Sequence, residues 1–485
     1  MPVTSSAKDV RVRVDSFKSF FTKNANYPVA IDTYQRPYMW DKEKVTDLVR
    51  DLSDYINSNI DTPYYMGSIL LHENTEQEML FIIDGQQRIT TLSILYYVLT
   101  GTLIDETKLN IQFNSALSIK NIQEIQTYLR ESIQYWQLPS TLLNEIQFTF
   151  IITSSEDLAF TFFDTQNNRG VKLNATDLLK AYHLREITSE FIQKRCASNW
   201  ERIQNHNEHP LVRNKKYFMP DLFSSILWRA RYWRGQNKEV IRKESYDDIL
   251  SEFMKNTIKT EQESEVPLYP NFSNVFGQQL MLTENRSLKL DIGSVMMGQN
   301  PADMPFAMRQ PISKGLGFFL YSEKYADIVQ RMYFDQEIDH ELKAYRYFYE
   351  KVWIKTSKYL REIFVLASIM YFEKFQSKKL LEFALWLDHV LGSIRLELKL
   401  VFKETAMNFL VKGKNNLLDI ISHSFTPEEV IRFLEEEARS RLKYYLSDES
   451  VRGKGVQGMY KDRVLAYYGK SDFTGKETWI KEKVQ

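Results

Sequence analysis

The sequence predicts an α+β protein: a small mixed-sheet N-terminal domain followed by a mainly α-helical C-terminal region. Two observations carry that prediction. Up to about residue 190, short runs with strand character trade places with helical 3.6-residue spacing, and beyond it long helical stripes take over. This change of texture divides the chain into 1–190, a mixed helical and irregular 191–335, and a helical 336–485.

Each element has a local reason. "YPVAIDTY" (27–34) reads as a strand, and "YQRPYMW" (34–40) as a turn, because Pro37 disfavours helical geometry at Arg36. Asp41 then has the character of an N-cap, with Val45, Leu48, Val49, Leu52, Tyr55 and Ile56 on one helical face. "YYMGSILLH" (64–72) and "EMLFIID" (78–84) read as strands joined by the polar loop "ENTEQE". A helix over about 86–100, helical patterns to about 136 and a strand "IQFTFIIT" (146–153) follow. Ser154 with Asp157, and Asn174 with Asp177, mark helix starts. Residues 262–317 are rich in Gly and Pro and read as irregular, whereas 337–411 carry the apolar stripes of two or three long helices. Thr426-Pro427-Glu428-Glu429 marks a further helix start, and the Gly- and Lys-rich tail reads as loop then short helix.

Composition narrows the function classes. Lys+Arg and Asp+Glu both number 63, so a generally basic nucleic-acid coat is excluded and any polyanion site is a local patch. The one cysteine, Cys196, forms no internal disulfide and rules out an all-cysteine metal cage. No apolar run reaches the roughly 20 residues of a membrane span, and no secretory signal is visible. A cytoplasmic protein without membrane partners is expected.

The stretch "FIIDGQQRITTL" (81–92) asks for more than folding. If the strand ends at Asp84 and a helix opens after Gly85, the first helical N–H groups are unpaired and form the positive end of the helix dipole. Gly85 admits a ligand close to the backbone, Arg88 offers a planar fork for phosphate oxygens, and Thr90 and Thr91 add hydroxyls. Asp84 is positioned to hold a divalent cation or to orient a water. These are the parts of an anion site at a helix N-terminus. The alternative is plain: Asp84 caps the helix while Gln86, Gln87 and Arg88 face water. No GxxxxGK[ST] exists, so this is not a P-loop.

Four blocks in order, "YQRPYMW" (34–40), "YYMGSILL" (64–71), "IDGQQRITTL" (83–92) and "NNRGVKLNATDLLKAY" (167–182), resemble the N-terminal domain of GmrSD-type modification-dependent restriction systems, a relative of the ParB and sulfiredoxin fold. The resemblance covers roughly residues 20–190. It implies a domain that binds and often hydrolyses a nucleotide in antiphage defence, with Asp84, Gln86, Gln87 and Arg88 as the catalytic block. It further implies nucleotide contacts from Arg36, Gly85, Asn167 and Arg169, beside which the residues themselves suggest contacts from Thr90 and Thr91 and Mg²⁺ held by Asp84. GTP, UTP, CTP and ATP are all compatible with it. Within these blocks the aromatic residues around Arg36 also read as turn packing, Gly170 as a left-handed helix C-cap, Asp177 as a cap or else a metal ligand, and Lys180 as part of a solvated face.

Fused members of that family carry an HNH-like nuclease, which needs a His general base near a strand-borne ligand. None of the seven histidines has that context, "FDQEIDHELK" (334–343) lies in helical periodicity, and "HNEHP" (205–209) is sparse in partners. The resemblance therefore implies a separately encoded nuclease or effector partner. "RNKKYFMPDLFSSILWRARYWRG" (213–235) interleaves Lys215, Lys216, Arg229, Arg231 and Arg234 with aromatic residues, either a nucleic-acid surface or an amphipathic helix with solvated arginines. The last 47 residues, with eleven Lys/Arg against six Asp/Glu, are a weaker basic candidate. The expected function is an NTP-binding, NTP-hydrolysing subunit that senses DNA or regulates a partner nuclease. Two alternatives stand beside it: a non-catalytic nucleotide- or DNA-binding module, and a nuclease of unrecognised type in residues 190–485.

Overall fold

A computed structural model describes residues 10–31, 35, 37–58, 62–105, 107–113, 116–155, 158, 174–211, 218–262, 265–269, 278–282, 288–292, 303–336, 338–398, 400–441 and 455–484. The chain forms two compact units, Met1–Arg185 with Ser189–Glu201, and Glu186–Thr188 with Arg202–Gln485. As the sequence predicts, the architecture is α+β.

The first unit is built on a six-stranded mixed sheet. Its strands are β1 (Val10–Ser16), β2 (Val29–Ile31), β3 (Tyr64–Asn74), β4 (Met79–Asp84), β5 (Leu109–Asn110) and β6 (Ile146–Thr153), in the order β1-β6-β3-β4-β2-β5. β3 and β4 form an antiparallel hairpin, while β3 runs parallel to β6 and β4 parallel to β2. Helices α1 (Lys42–Asn57), α2 (Gln86–Thr100) and α3 (Ala116–Ser132) supply Val45, Val49, Ile89, Leu92, Leu95, Ile125 and Leu129 to the core beside Ile69, Leu71, Leu80 and Ile82 of the sheet. Alternation in β6 sends Phe148, Phe150 and Ile152 to that core, where Phe20 stacks on Phe150 with ring centroids 3.6 Å apart. Asp41 caps α1 through a bond from the Lys44 N–H at 3.1 Å. Strand β1 was not anticipated: its Val/Arg alternation lies at the sheet edge with both faces exposed, so no buried face gives it away.

Two further helices follow, α4 (Ala175–Arg185) and α5 (Glu190–His206). Lys180 corrects the sequence reading. It is buried in α4 and paired with Glu201 of α5 at 2.5 Å rather than solvated.

The second unit is mainly helical. It contains a helical run through Phe218–Asp221, Leu222–Trp228 and Arg229–Tyr232, then α6 (Leu316–Tyr333), α7 (His340–Phe348), α8 (Lys358–Phe375) and α9 (Leu380–Glu397). The rest is α10 (Lys403–Lys412), α11 (Leu417–His423), α12 (Pro427–Arg439), α13 (Val456–Tyr468) and α14 (Lys476–Val484). Helix α9 is buried almost all round, as the central helix of a bundle must be. The stretch read as irregular holds an antiparallel hairpin, Gln278–Leu282 with Leu288–Ile292. At α12 the Thr426 side chain makes no cap bond; Glu429 instead accepts from the Phe425 N–H at 2.9 Å. Among the described residues, no helix is long and apolar enough to cross a membrane.

His209 in this unit is fully buried, with Nδ1 accepting from the Leu211 N–H at 3.2 Å. Burial, then the nearby Arg229, holds its pKa at about 3. A histidine depressed below its unfolded value of about 6.5 leaves the extra proton to the unfolded chain, so its share of stability falls as pH drops from about 6.5 towards 3. Asp221 acts oppositely. Burial raises it to about 6 against the opposing effect of Arg229, so the folded chain takes the proton first and gains as pH falls from about 6 to 3.8. Comparing urea unfolding at pH 7 and pH 4, the wild type is expected to lose roughly 3 kcal/mol relative to His209→Gln. An unchanged difference between the two proteins would refute this assignment.

Candidate functional site

The site is assembled where β4 hands over to α2. Gly85 sits between them in the left-handed region, φ 101°, and an added Cβ would meet Ile69 Cγ1 at 3.0 Å. Only glycine meets both demands without strain. Gly85 carries no side chain, so the first turn of α2 receives no side-chain cap. Gln86, Gln87, Thr90 and Thr91 on this helix are all buried. Among the described residues the Thr90 hydroxyl has no hydrogen-bond partner, an unusual state for a buried polar group.

Arg88 points inward along the sheet. Its Nη1 donates to the Met66 carbonyl at 3.0 Å, and its Nη2 to the Ser68 carbonyl at 2.7 Å and to Asp84 Oδ2 at 3.1 Å. The guanidinium also lies 5.9 Å from the Phe148 ring centroid. Met66 and Ser68 flank Gly67, which bulges β3 at φ 97°; a Cβ there would come within 3.0 Å of Arg88 Nη1. The expectation of a fork dedicated to phosphate is therefore revised. Arg88 ties the β3 bulge to α2 and fixes Asp84, whose side chain stays a third exposed.

Gln87 and Thr91 are also revised. Gln87 Oε1 accepts from the Met39 N–H at 2.8 Å, and its Nε2 donates to the Pro37 carbonyl at 3.1 Å, so both ends of the amide are spent. The Thr91 hydroxyl shares a 2.7 Å bond with the Tyr38 hydroxyl and donates to the Gln87 carbonyl at 2.9 Å. These residues hold Pro37, Tyr38 and Met39 rather than reaching outward. Burial pushes the Tyr38 phenol up to about 12. The same stretch is held from below: Ser118 accepts from the Tyr38 N–H, Asn121 donates to the Tyr38 carbonyl, and Gln35 donates to the carbonyls of Ile82 and Ile83 at 2.8 and 3.1 Å. Arg36, Asn167 and Arg169 lie outside the described residues; Gln35 is bonded to the last residues of β4, and Pro37 and Met39 to Gln87 in the first turn of α2.

Gln35, Gly67, Ser118 and Asn121 were not singled out from the sequence. Gly67 had a usable signal, since a glycine inside a strand pattern marks a bulge. Ser118 and Asn121 had none, because their partner lies some 80 residues away.

Comparison with known proteins adds two matches. Residues 17–184 match the family model described as the GmrSD restriction endonuclease, N-terminal domain. Residues 192–449, more than half of the chain, match that of a family of unknown function, DUF7834. The chain belongs to the DUF7834 family. Its first part is a GmrSD-type N-terminal domain, as the four sequence blocks indicate. No curated protein matches the chain.

The DUF7834 match contains the basic-aromatic stretch, and there the structure corrects the sequence. Arg229 is buried, forked onto Glu244 at 3.0 and 2.9 Å and bonded to Glu362 at 2.7 Å. Arg231 is buried too, bound to Glu252 and to the carbonyls of Met308 and Gln310. Guanidinium groups held this way are withheld from a nucleic-acid backbone. Arg234 is exposed, with Nε on the Arg231 carbonyl; Lys215 and Lys216 lie outside the described residues. Elsewhere in the DUF7834 match, "FDQEIDHELK" does structural duty: Asp339 caps α7 and Glu341 accepts from the Leu381 N–H. Among the described residues, no group of three or more His, Cys, Asp or Glu is placed to hold a metal.

Proposed function

We propose that the GmrSD-type domain binds a nucleoside triphosphate at the mouth of α2. On this reading the chain serves as the nucleotide-dependent subunit of an antiphage, restriction-like system, sensing DNA and acting with a separately encoded nuclease. The observation that carries the reading is the first turn of α2: it opens on a glycine that forbids a side chain, lacks a cap, and stands beside a carboxylate fixed by Arg88. Such a turn favours an oxyanion through its N–H groups and dipole. Mg²⁺ fits the residues present. In phosphate sites that ion takes one or two protein carboxylates and fills its shell with phosphate oxygens and water, and Asp84 is such a carboxylate. When bound, it would neutralise phosphate charge; Asp84 would hold it, with Arg88 keeping the carboxylate in place.

A second reading has its own support. Asp84 is already paired with Arg88, which suits a domain that binds nucleotide without turning it over. Calorimetric binding and phosphate release for GTP, UTP, CTP and ATP with Mg²⁺ separate the two. If the domain hydrolyses, Asp84→Asn is expected to bind within a few-fold of wild type and to release phosphate on the order of 10²-fold more slowly. Tight binding without turnover in the wild type selects the second reading. Neither binding nor turnover in the wild type would sink both.

A further inference from the structure

Strand β1 is an edge of the six-stranded sheet, bonded on one side to β6. Its register with β6 is unbroken from Val10↔Thr153 to Ser16↔Gln147, so no bulge blunts it. Arg11, Val12, Arg13 and Val14 are exposed, the two valines by 65% and 59%. Among the described residues no strand pairs with its other side, and a seven-residue edge of this kind is a template for another strand unless charge opposes pairing. Here the charges are already answered within the chain: Arg11 bonds Glu73 at 2.5 Å and Arg13 bonds Asp15 at 3.1 Å.

The two faces of β1 differ. Arg11, Arg13 and Asp15 are in register with Ile152, Phe150 and Phe148. Val12 and Val14 are in register with Ile151 and Thr149, and Thr149 shares a 2.9 Å hydroxyl bond with Tyr65, itself 58% exposed. The valines thus lead an apolar strip that runs to the sheet edge.

We propose that β1 is a self-association edge: two copies of the chain pair β1 to β1, antiparallel about a twofold axis at Val14, and join their sheets. The charge pattern is what selects a second copy. With Val14 opposite Val14, Arg13 of each copy faces Asp15 of the other, and Val12 faces Ser16. Centring on Arg13 sets Arg13 against Arg13 between two Arg11–Asp15 pairs; centring on Asp15 sets Asp15 against Asp15; centring on Val12 sets Arg11 against Arg13 twice; parallel in-register pairing sets like on like. Opposed charges stabilise cross-strand pairs and like charges destabilise them, and of these registers only the one centred on Val14 opposes unlike charges without also setting like on like. The interface is small, so association in the micromolar range follows.

Light scattering coupled to gel filtration of the full chain at tens of micromolar tests this. Wild type is expected at twice the chain mass, and Val14→Lys and Asp15→Arg at one chain mass. The charge-swapped pair Arg13→Asp with Asp15→Arg is expected back at twice the chain mass, since it restores both cross-strand pairs. Thermal melts of each variant show that the first unit remains folded. A monomeric wild type, a dimeric Val14→Lys, or a swapped pair that stays monomeric overturns the proposal.

Discussion

Lys476→Met will destabilise the second unit by about 3–5 kcal/mol and release its C-terminal helices. Lys476 opens α14, and its Nζ lies 2.7 Å from Asp388 Oδ2 of α9, with both side chains fully buried. The other carboxylate oxygen accepts from the Tyr460 hydroxyl of α13 at 2.8 Å. One aspartate thus gathers both terminal helices onto the central one. Burial holds the Lys476 amine below the usual lysine range even with Asp388 beside it. Removing the ammonium strands a carboxylate in a dry core, and that penalty exceeds what the intact pair contributes. The double variant Asp388→Val with Lys476→Met removes the stranded charge and should regain most of the loss, less about 1–3 kcal/mol for the Tyr460 hydroxyl, which loses the carboxylate and keeps the Asp388 main-chain carbonyl at 3.4 Å. Urea unfolding read through Trp479, which is buried in α14, measures all three proteins. A single variant within about 1 kcal/mol of wild type would mean that the pair adds little to the bundle.

What the sequence made legible was local. Helix Gln86–Thr100 and strand Ile146–Thr153 were readable, because Asp84-Gly85 punctuates the start of the one and an apolar, β-branched and aromatic run marks the other. Edge strand β1 was not, since alternation informs only where one face is buried. Charged residues failed for a different reason. An arginine reads alike in sequence whether water or glutamate surrounds it, and the partners of Arg229 stand 15 and 133 positions away. Lys180 repeats the lesson with Glu201, 21 positions on. At the candidate site the seam between strand and helix was readable, but the bonds of its side chains were not. Gln87 and Thr91 fall in a motif that invites assignment as ligands, yet their bonds go to Pro37, Tyr38 and Met39 about fifty residues upstream. Only the fold brings that turn to α2, and a motif quoted alone cannot distinguish the side chain that touches a ligand from the one that aims it.

That distinction is sharpest at Arg88, where Arg88→Lys is expected to keep the positive charge and still lose the site. The guanidinium spans three acceptors at once: two carbonyls on either side of the Gly67 bulge and the Asp84 carboxylate. A lysine ammonium places its donors on a single nitrogen and cannot bridge this span. At least one of the buried-edge carbonyls would go unpaired, costing the first unit about 1–3 kcal/mol. Asp84 would be freed from the bond that orients it, and the bulge of β3 would lose its brace against α2. On the proposed function, nucleotide affinity is therefore expected to fall tenfold or more, about 1.4 kcal/mol, although the formal charge of the side chain is unchanged. If Arg88 instead acts as a point charge toward the nucleotide, lysine should substitute with little loss while Arg88→Ala alone abolishes binding. Calorimetry with each triphosphate, alongside urea unfolding of the same variants, reads both effects. Arg88→Lys matching wild type in affinity and in stability would remove the fork from the account and leave α2 to bind the oxyanion without it.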